Sequence, residues 1–303
     1  MSHRSHEPFV CPLEHHLVDA EDGTVLSWQQ TGDDPLDGCL VIVNGPGADY
    51  RAWRGFYEEF HDRYRIITWD YRGLFDSAVP ADPESLTVEW HASDLARVLD
   101  RAGAGRVILV SWSLGTQVAL EFYRSNADRV QAMIAVNGSY GRPFERSTGL
   151  GPSSRLSRLA GWLPHQSERL ERWVGLLDSR PEVLAVAKFA QVVSPVLSAD
   201  QFKPLAYAFS RLNMAIYQRI IHCFGVHDAV GVLPTIQCPT LFFAGRRDPL
   251  MPSRYSETMA RIVLRSELLI VPIASHYIPV EFAEYLNLRI RAFLEERVHG
   301  RRF

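Results

Sequence analysis

Two runs in this chain, Leu40-Val41-Ile42-Val43 and Val107-Ile108-Leu109-Val110, contain no polar residue. A strand with one wet face alternates apolar and polar residues. A strand apolar at every position is buried on both faces, and that is the mark of a parallel sheet covered by helices. These runs sit inside β-rich segments at Cys39–Val43 and Arg106–Val110. Further segments of that kind are Thr24–Gln30, Tyr64–Trp69, Ala132–Val136, Thr240–Ala244 and Glu267–Val271. Helical patterns separate them. From Thr87 to Ala102, for example, Val88, Ala92, Leu95, Leu99 and Ala102 fall on one face, Thr87 is placed to cap the start, and Gly103 and Gly105 stop the run. The alternation predicts an α/β chain with a mostly parallel sheet sandwiched by helices.

One region breaks the alternation. Between Gly141 and Val230 no strand pattern occurs, only helical spacing rich in Leu, Trp and Phe. The expectation is an all-helical cap inserted into the sheet domain, with the core at 1–140 and 231–303 and the cap at 141–230. Trp162, Trp173, Phe189, Phe202, Phe209, Tyr217 and Phe224 lie in it. Taken singly, each is an ordinary core residue. Taken together, they predict an apolar wall over the carboxyl ends of the strands, where open α/β sheets bind ligands.

The bulk numbers mainly exclude. A formal charge of −3, with no basic stripe, gives no footprint for nucleic acid. No stretch approaches the run of about 20 apolar residues that a membrane helix needs, so no membrane partner is expected. The first sixteen residues are polar and lack the apolar segment of a secretion signal. Cys11, Cys39, Cys223 and Cys238 are widely spaced and read as reduced thiols of a cytoplasmic protein. Eleven histidines form no HExxH or similar pattern, and neither a metal nor an organic cofactor is expected. Oligomeric state is open.

The segment Ser111-Trp112-Ser113-Leu114-Gly115 stands where a strand pattern turns into a helix pattern. Small residues at 111 and 115 permit a tight turn that lifts the Ser113 hydroxyl above the sheet at a helix N-terminus. There the Leu114 N–H and the helix dipole can stabilise an oxyanion. The plainer alternative is a serine that merely starts a helix. A nucleophilic hydroxyl needs a base, and strand ends supply candidates. Asp248 follows the segment Thr240–Ala244 in Gly245-Arg246-Arg247-Asp248-Pro249, and His276 follows the last strand in Val271-Pro272-Ile273-Ala274-Ser275-His276. Beyond Asp248 the only other histidine is His299, in a charged tail. Asp228 is the nearest rival for the acid. As plain alternatives, Asp248 is a turn aspartate and His276 a loop histidine.

With these residues in the order Ser, Asp, His, the chain resembles the α/β-hydrolase fold family over about Asp19 to Glu296, less closely in the cap. Asp70-Tyr71-Arg72-Gly73 with Ser77, Asp94, and Gly245-x-x-Asp248-x-x-x-Pro252 resemble further family landmarks. Arg72 and Asp70 are structural in that comparison. The resemblance implies a serine hydrolase in which Ser113 attacks, His276 is the base and Asp248 orients it. It also makes Val43-Asn44-Gly45-Pro46-Gly47 the loop carrying the second oxyanion donor. Three departures stand out: Asn44 in place of the usual histidine, Phe75 in place of a glycine, and Pro46 near a required N–H. In one register Pro46 occupies the donor position and the hole is short of one bond; in the other the donor is the Gly45 N–H. A serine at 113 argues against the dehalogenases and epoxide hydrolases of this fold, which carry aspartate there. The expected substrate is a small to medium hydrophobic carboxylic ester. Lactone, thioester or carbon–carbon hydrolysis and a non-catalytic ligand binder are the alternatives.

Overall fold

A computed structural model describes residues 13–32, 35–143, 184–185, 188 and 193–301. Eight strands form one sheet: β1 (Glu14–Asp19), β2 (Val25–Gln30), β3 (Cys39–Val43), β4 (Arg65–Trp69), β5 (Val107–Trp112), β6 (Val130–Val136), β7 (Thr240–Gly245) and β8 (Ser266–Val271). Their spatial order is β1-β2-β4-β3-β5-β6-β7-β8. Pairs β1–β2 and β2–β4 are antiparallel and all others parallel. The sheet is mostly parallel, as the apolar runs predict.

Side chains that alternate along a strand reach opposite faces, and both faces are covered. Val41, Val43 and Leu109 pack with Leu95, Val98 and Leu99 of α2 (Val88–Arg101) and Val118 and Phe122 of α3 (Gly115–Asn126). Leu40, Ile42, Ile108 and Val110 pack on the other face. Their partners there are Phe56 and Phe60 of α1 (Arg54–Phe60) and, from a C-terminal helix at Ala283–Phe293, Leu286 and Ile290. The Thr87 hydroxyl accepts the Trp90 N–H at the start of α2, and Gly103 ends that helix at φ 64°. Strand β1 is the one strand the pattern does not predict. It is an edge strand in which only Val18 is buried, so it lacks the apolar run that marks the others.

The helical insertion leaves and re-enters at one place. Strands β6 and β7 are neighbours in the sheet, although about a hundred residues separate them in the chain. The two connections are tied by a bridge between Gly141 and Asp228 and by bonds from Arg142 N to His227 O and from Ala229 N to Tyr140 O. The described part of the insertion includes two helices, α4 (Ala199–Ser210) and α5 (Met214–Val226). Trp162, Trp173 and Phe189 lie outside the described residues.

Gly115 is where the fold meets the site. A Cβ there would sit 2.3 Å from the carbonyl oxygens of both Val43 and Asn44. Helix α3 therefore starts against the end of β3 with no room for a side chain. Gly115→Ala is expected to cost about 3 kcal/mol, the upper end of overpacking losses, as measured by urea denaturation.

Candidate active site

Ser113 follows β5 directly and has φ 59°. Left-handed backbone is costly for a residue with a Cβ, so the corner must be held from outside. The Ser113 N–H bonds to Val136 O on β6 at 3.0 Å, and Ser113 O accepts from Thr116 N at 3.2 Å. Ser111 is more than a small residue. Its hydroxyl bonds to Thr116 Oγ1 (3.1 Å) and to Ile134 O (3.2 Å), pinning the strand to the first turn of α3.

Asp248 and His276 are brought together. His276 Nδ1 and Asp248 Oδ2 are 2.8 Å apart, and the Asp248 side chain is fully buried. The other carboxylate oxygen, Oδ1, accepts the N–H groups of Leu250 and Met251, each at 2.8 Å. Those two amides fix the acid's rotamer. Asp228, the rival acid, instead accepts the Val230 N–H and lies 3.4 Å from the Arg142 guanidinium at the base of the insertion.

The loop that carries His276 is held by two residues that sequence reasoning left unassigned. Asn137, just after β6, donates to the carbonyls of Ser275 (2.9 Å) and His276 (2.8 Å) and accepts the Gly245 N–H (2.7 Å). One amide thus joins the ends of β6, β7 and the histidine loop. Its φ of 46° is a value asparagine tolerates, and the Asn-Gly pair after an apolar run was the available signal. Trp112 donates its indole N–H to His276 O at 2.9 Å, and its ring lies 5.7 Å from the imidazole. Trp112 therefore supports the histidine as well as facing the cavity.

Ser113, His276 and the Gly45 loop line one cavity of about 210 Å³. Its floor and sides include Trp112, Leu114, Leu250, Met251 and Tyr277, and its roof includes Phe209, Tyr217 and Ile221 from α4 and α5. Phe224 instead packs in the core, 6.2 Å from the Tyr71 ring. Among the described lining residues there is no Asp, Glu, Lys or Arg. Among the described residues no group of three His, Cys, Asp or Glu side chains is placed to hold a metal ion.

The Gly45 loop has a built-in orientation. The Tyr71 hydroxyl donates to Asn44 O at 2.6 Å, and the Trp53 indole donates to Asn44 Oδ1 at 2.6 Å. In a trans peptide the N–H points opposite to the carbonyl, so the Gly45 N–H faces away from Tyr71. Gly45 lies directly against the serine: a Cβ on it would be 3.2 Å from Ser113 Cβ. Pro46 and Gly47 form a turn closed by Ala48 N to Gly45 O at 3.1 Å. Neither the Gly45 N–H nor the Leu114 N–H meets an acceptor among the described residues.

The neighbouring landmarks are structural. Arg72 is completely buried, paired with Asp94 through Nε (2.7 Å) and Nη2 (2.5 Å) and with Asp22 through Nη1 (2.9 Å). Burial pushes the Asp70 carboxyl up to about 7. Phe75 takes φ 51°, so its loop holds a left-handed residue without glycine.

Known proteins place this geometry in a wider group. The chain is 24% identical over 306 residues to epoxide hydrolase 3 of Xenopus tropicalis, covering 93% of this chain and 78% of that protein. A thermophilic esterase from Thermogutta terrifontis superposes with a TM-score of 0.69 at 24% identity, covering 94% of this chain and 99% of that one. The enol-lactonase of Burkholderia xenovorans superposes with a TM-score of 0.71 at 18% identity, covering 92% and 99%. Residues 38–283 match the α/β hydrolase fold family, a span that holds all three candidate residues and the whole insertion, and the chain belongs to that family.

Proposed function

We propose that this protein is a serine hydrolase that cleaves small to medium hydrophobic carboxylic esters through an acyl-Ser113 intermediate. The observation that carries the reading is the 2.8 Å bond between His276 Nδ1 and Asp248 Oδ2, with the imidazole opening on the same cavity as Ser113. With Nδ1 donating to the carboxylate, Nε2 is left as the acceptor for the Ser113 proton. The Ser113 oxygen then bonds to the acyl carbon, and the carbonyl π pair moves onto oxygen. The N–H groups of Gly45 and Leu114 receive that charge. His276 returns its proton to the departing alkoxide. Water, deprotonated by His276, repeats the attack and releases the acid. Serine at 113 sets the chain apart from the epoxide hydrolases it resembles, since those carry a carboxylate nucleophile at this corner.

The mostly apolar cavity supports a short to medium acyl group. The connections tied at Gly141 and Asp228 support a cap spanning 141–230 on a core of 1–140 and 231–303. Free thiols at Cys39, Cys223 and Cys238 fit a cytoplasmic location, and no described helix is long and apolar enough to cross a membrane. The test is a p-nitrophenyl ester series together with a fluorophosphonate label. Turnover should peak at short to medium acyl chains, and the label should locate to Ser113. Interfacial activation on long-chain triglyceride emulsions would contradict a capped pocket.

Pro46 distinguishes an enzyme from a binder with a damaged hole. The unpaired Gly45 N–H beside Ser113 supports the register in which proline only stiffens the turn. Pro46→Ala is then expected to change kcat by less than roughly tenfold. Gly45→Pro, which deletes the donor, should lower kcat by about 10²–10³ or more, as loss of an oxyanion donor does. A large gain in Pro46→Ala would restore the damaged-hole reading.

A further inference from the structure

The cavity contains two hydroxyls that the ester mechanism does not use. Tyr217, on α5, and Tyr277, next to His276, both line it. The Tyr217 hydroxyl reaches over the oxyanion loop, 3.5 Å from where a Cβ on Gly47 would be. Neither phenol forms a hydrogen bond with any described residue. Tyr277 is held by its ring, edge-on to Trp112 at 5.5 Å and to His276 at 5.4 Å. Tyr217 is held edge-on to Phe209 at 5.5 Å. The rings are therefore fixed, and neither hydroxyl is taken up by a described residue. Burial pushes the Tyr217 phenol up to about 12 and raises that of Tyr277 as well, and a charge on Tyr217 would raise Tyr277 further. Both stay neutral donors at any working pH.

We infer that Tyr217, together with Tyr277, is a specificity determinant for a substrate that carries a second, neutral oxygen besides the scissile ester. The inference rests on the hydrolase reading and narrows its substrate class. A hydroxyl walled in by apolar side chains pairs with water when the site is free. A purely hydrocarbon acyl group would displace that water and return nothing. Leaving a buried donor unpaired weakens binding by about 10- to 100-fold, so a ligand that bonds it is preferred by a similar factor. The partner is an oxygen acceptor, because a phenol donates readily. It is a neutral one (ketone, ether or hydroxyl), because among the described lining residues no lysine or arginine is present to balance a carboxylate.

The experiment compares p-nitrophenyl 4-oxopentanoate with p-nitrophenyl pentanoate, and the methoxyacetate with the butanoate. Each kcat/KM is divided by the rate of hydrolysis in hydroxide, which removes intrinsic reactivity. The wild type is expected to prefer the oxygenated member of at least one pair by roughly tenfold or more, and Tyr217→Phe to bring that ratio close to one. A wild-type ratio below about two in both pairs would overturn the inference, as would a ratio that Tyr217→Phe leaves unchanged. Binding separates this inference from the hydrolase reading. In Ser113→Ala, titration calorimetry with 2-heptanone should show a Kd that Tyr217→Phe raises roughly tenfold. If no ester is turned over yet that shift is seen, the hydrolase reading falls and the tyrosine site stands. If esters are turned over and neither the ratio nor the Kd responds to Tyr217→Phe, the reverse holds.

Discussion

Ser113→Gly is expected to melt above Ser113→Ala and, like it, to turn over no ester. Ser113 holds φ 59°, a conformation that costs a residue with a Cβ about 1–2 kcal/mol and costs glycine almost nothing. Glycine gives back part of that gain, about 0.4–1 kcal/mol, through the greater freedom of the unfolded chain. A net gain of about 0.5–1 kcal/mol remains, a shift of about 1–3 °C by scanning calorimetry for a domain of this size. Alanine keeps the strain and loses only the hydroxyl. Both variants should lower kcat by about 10⁶, the scale of losing the nucleophile in a serine protease, and neither should take up a fluorophosphonate. Full labelling of Ser113→Ala would place the nucleophile elsewhere. If Ser113→Gly melted no higher than Ser113→Ala, the strain assigned to the Cβ at this corner would be refuted.

Asp248→Asn is expected to lower kcat by about 10⁴, the effect seen when a protease triad loses its carboxylate. The local geometry explains why the amide fails. The N–H groups of Leu250 and Met251 both point at Oδ1, so an introduced amide must place its oxygen there. Its NH₂ then faces His276 Nδ1. A donor facing Nδ1 makes that nitrogen the acceptor and puts the ring proton on Nε2, the nitrogen that must accept from Ser113. The fold should survive, because both backbone amides keep their acceptor. Asp228→Asn, at the base of the insertion, should leave kcat within a factor of about two, since exposed or half-exposed pairs contribute little. Stopped-flow kinetics on p-nitrophenyl butanoate would read both. If Asp228→Asn were the crippling change and Asp248→Asn mild, the acid would have to be moved.

The sheet was legible because burial on both faces writes itself into composition. Leu40–Val43 and Val107–Val110 have no polar residue, since neither face of these central strands meets water. Strand β1 has one neighbour and one partly covered face, so Glu14–Asp19 reads like a loop. The helix Val88–Arg101 was legible from Thr87 and the spacing of its apolar face. Tyr71 shows the opposite case. It looked like a spacer in Asp70-Tyr71-Arg72-Gly73, yet its hydroxyl holds the Asn44 carbonyl across 27 positions of chain. No local pattern marks a side chain whose partner is a backbone atom in another loop.

What the residues by themselves determined is the order of events along the chain: apolar runs, a serine at a strand-to-helix corner, an aspartate and a histidine after later strands, and a helical insertion between. These are local properties, set by which faces of an element meet water and which backbone angles a residue allows. Distances belong to the tertiary structure. The 2.8 Å between His276 and Asp248 exists because β7 and β8 pair in register and Asn137 ties their ends together. The direction of the Gly45 N–H exists because Tyr71 grips the preceding carbonyl. The presence of two tyrosines in one mostly apolar cavity depends on α5 bringing Tyr217 to the same cavity as Tyr277. Each of these contacts joins residues far apart in sequence, and only packing brings them within hydrogen-bonding range.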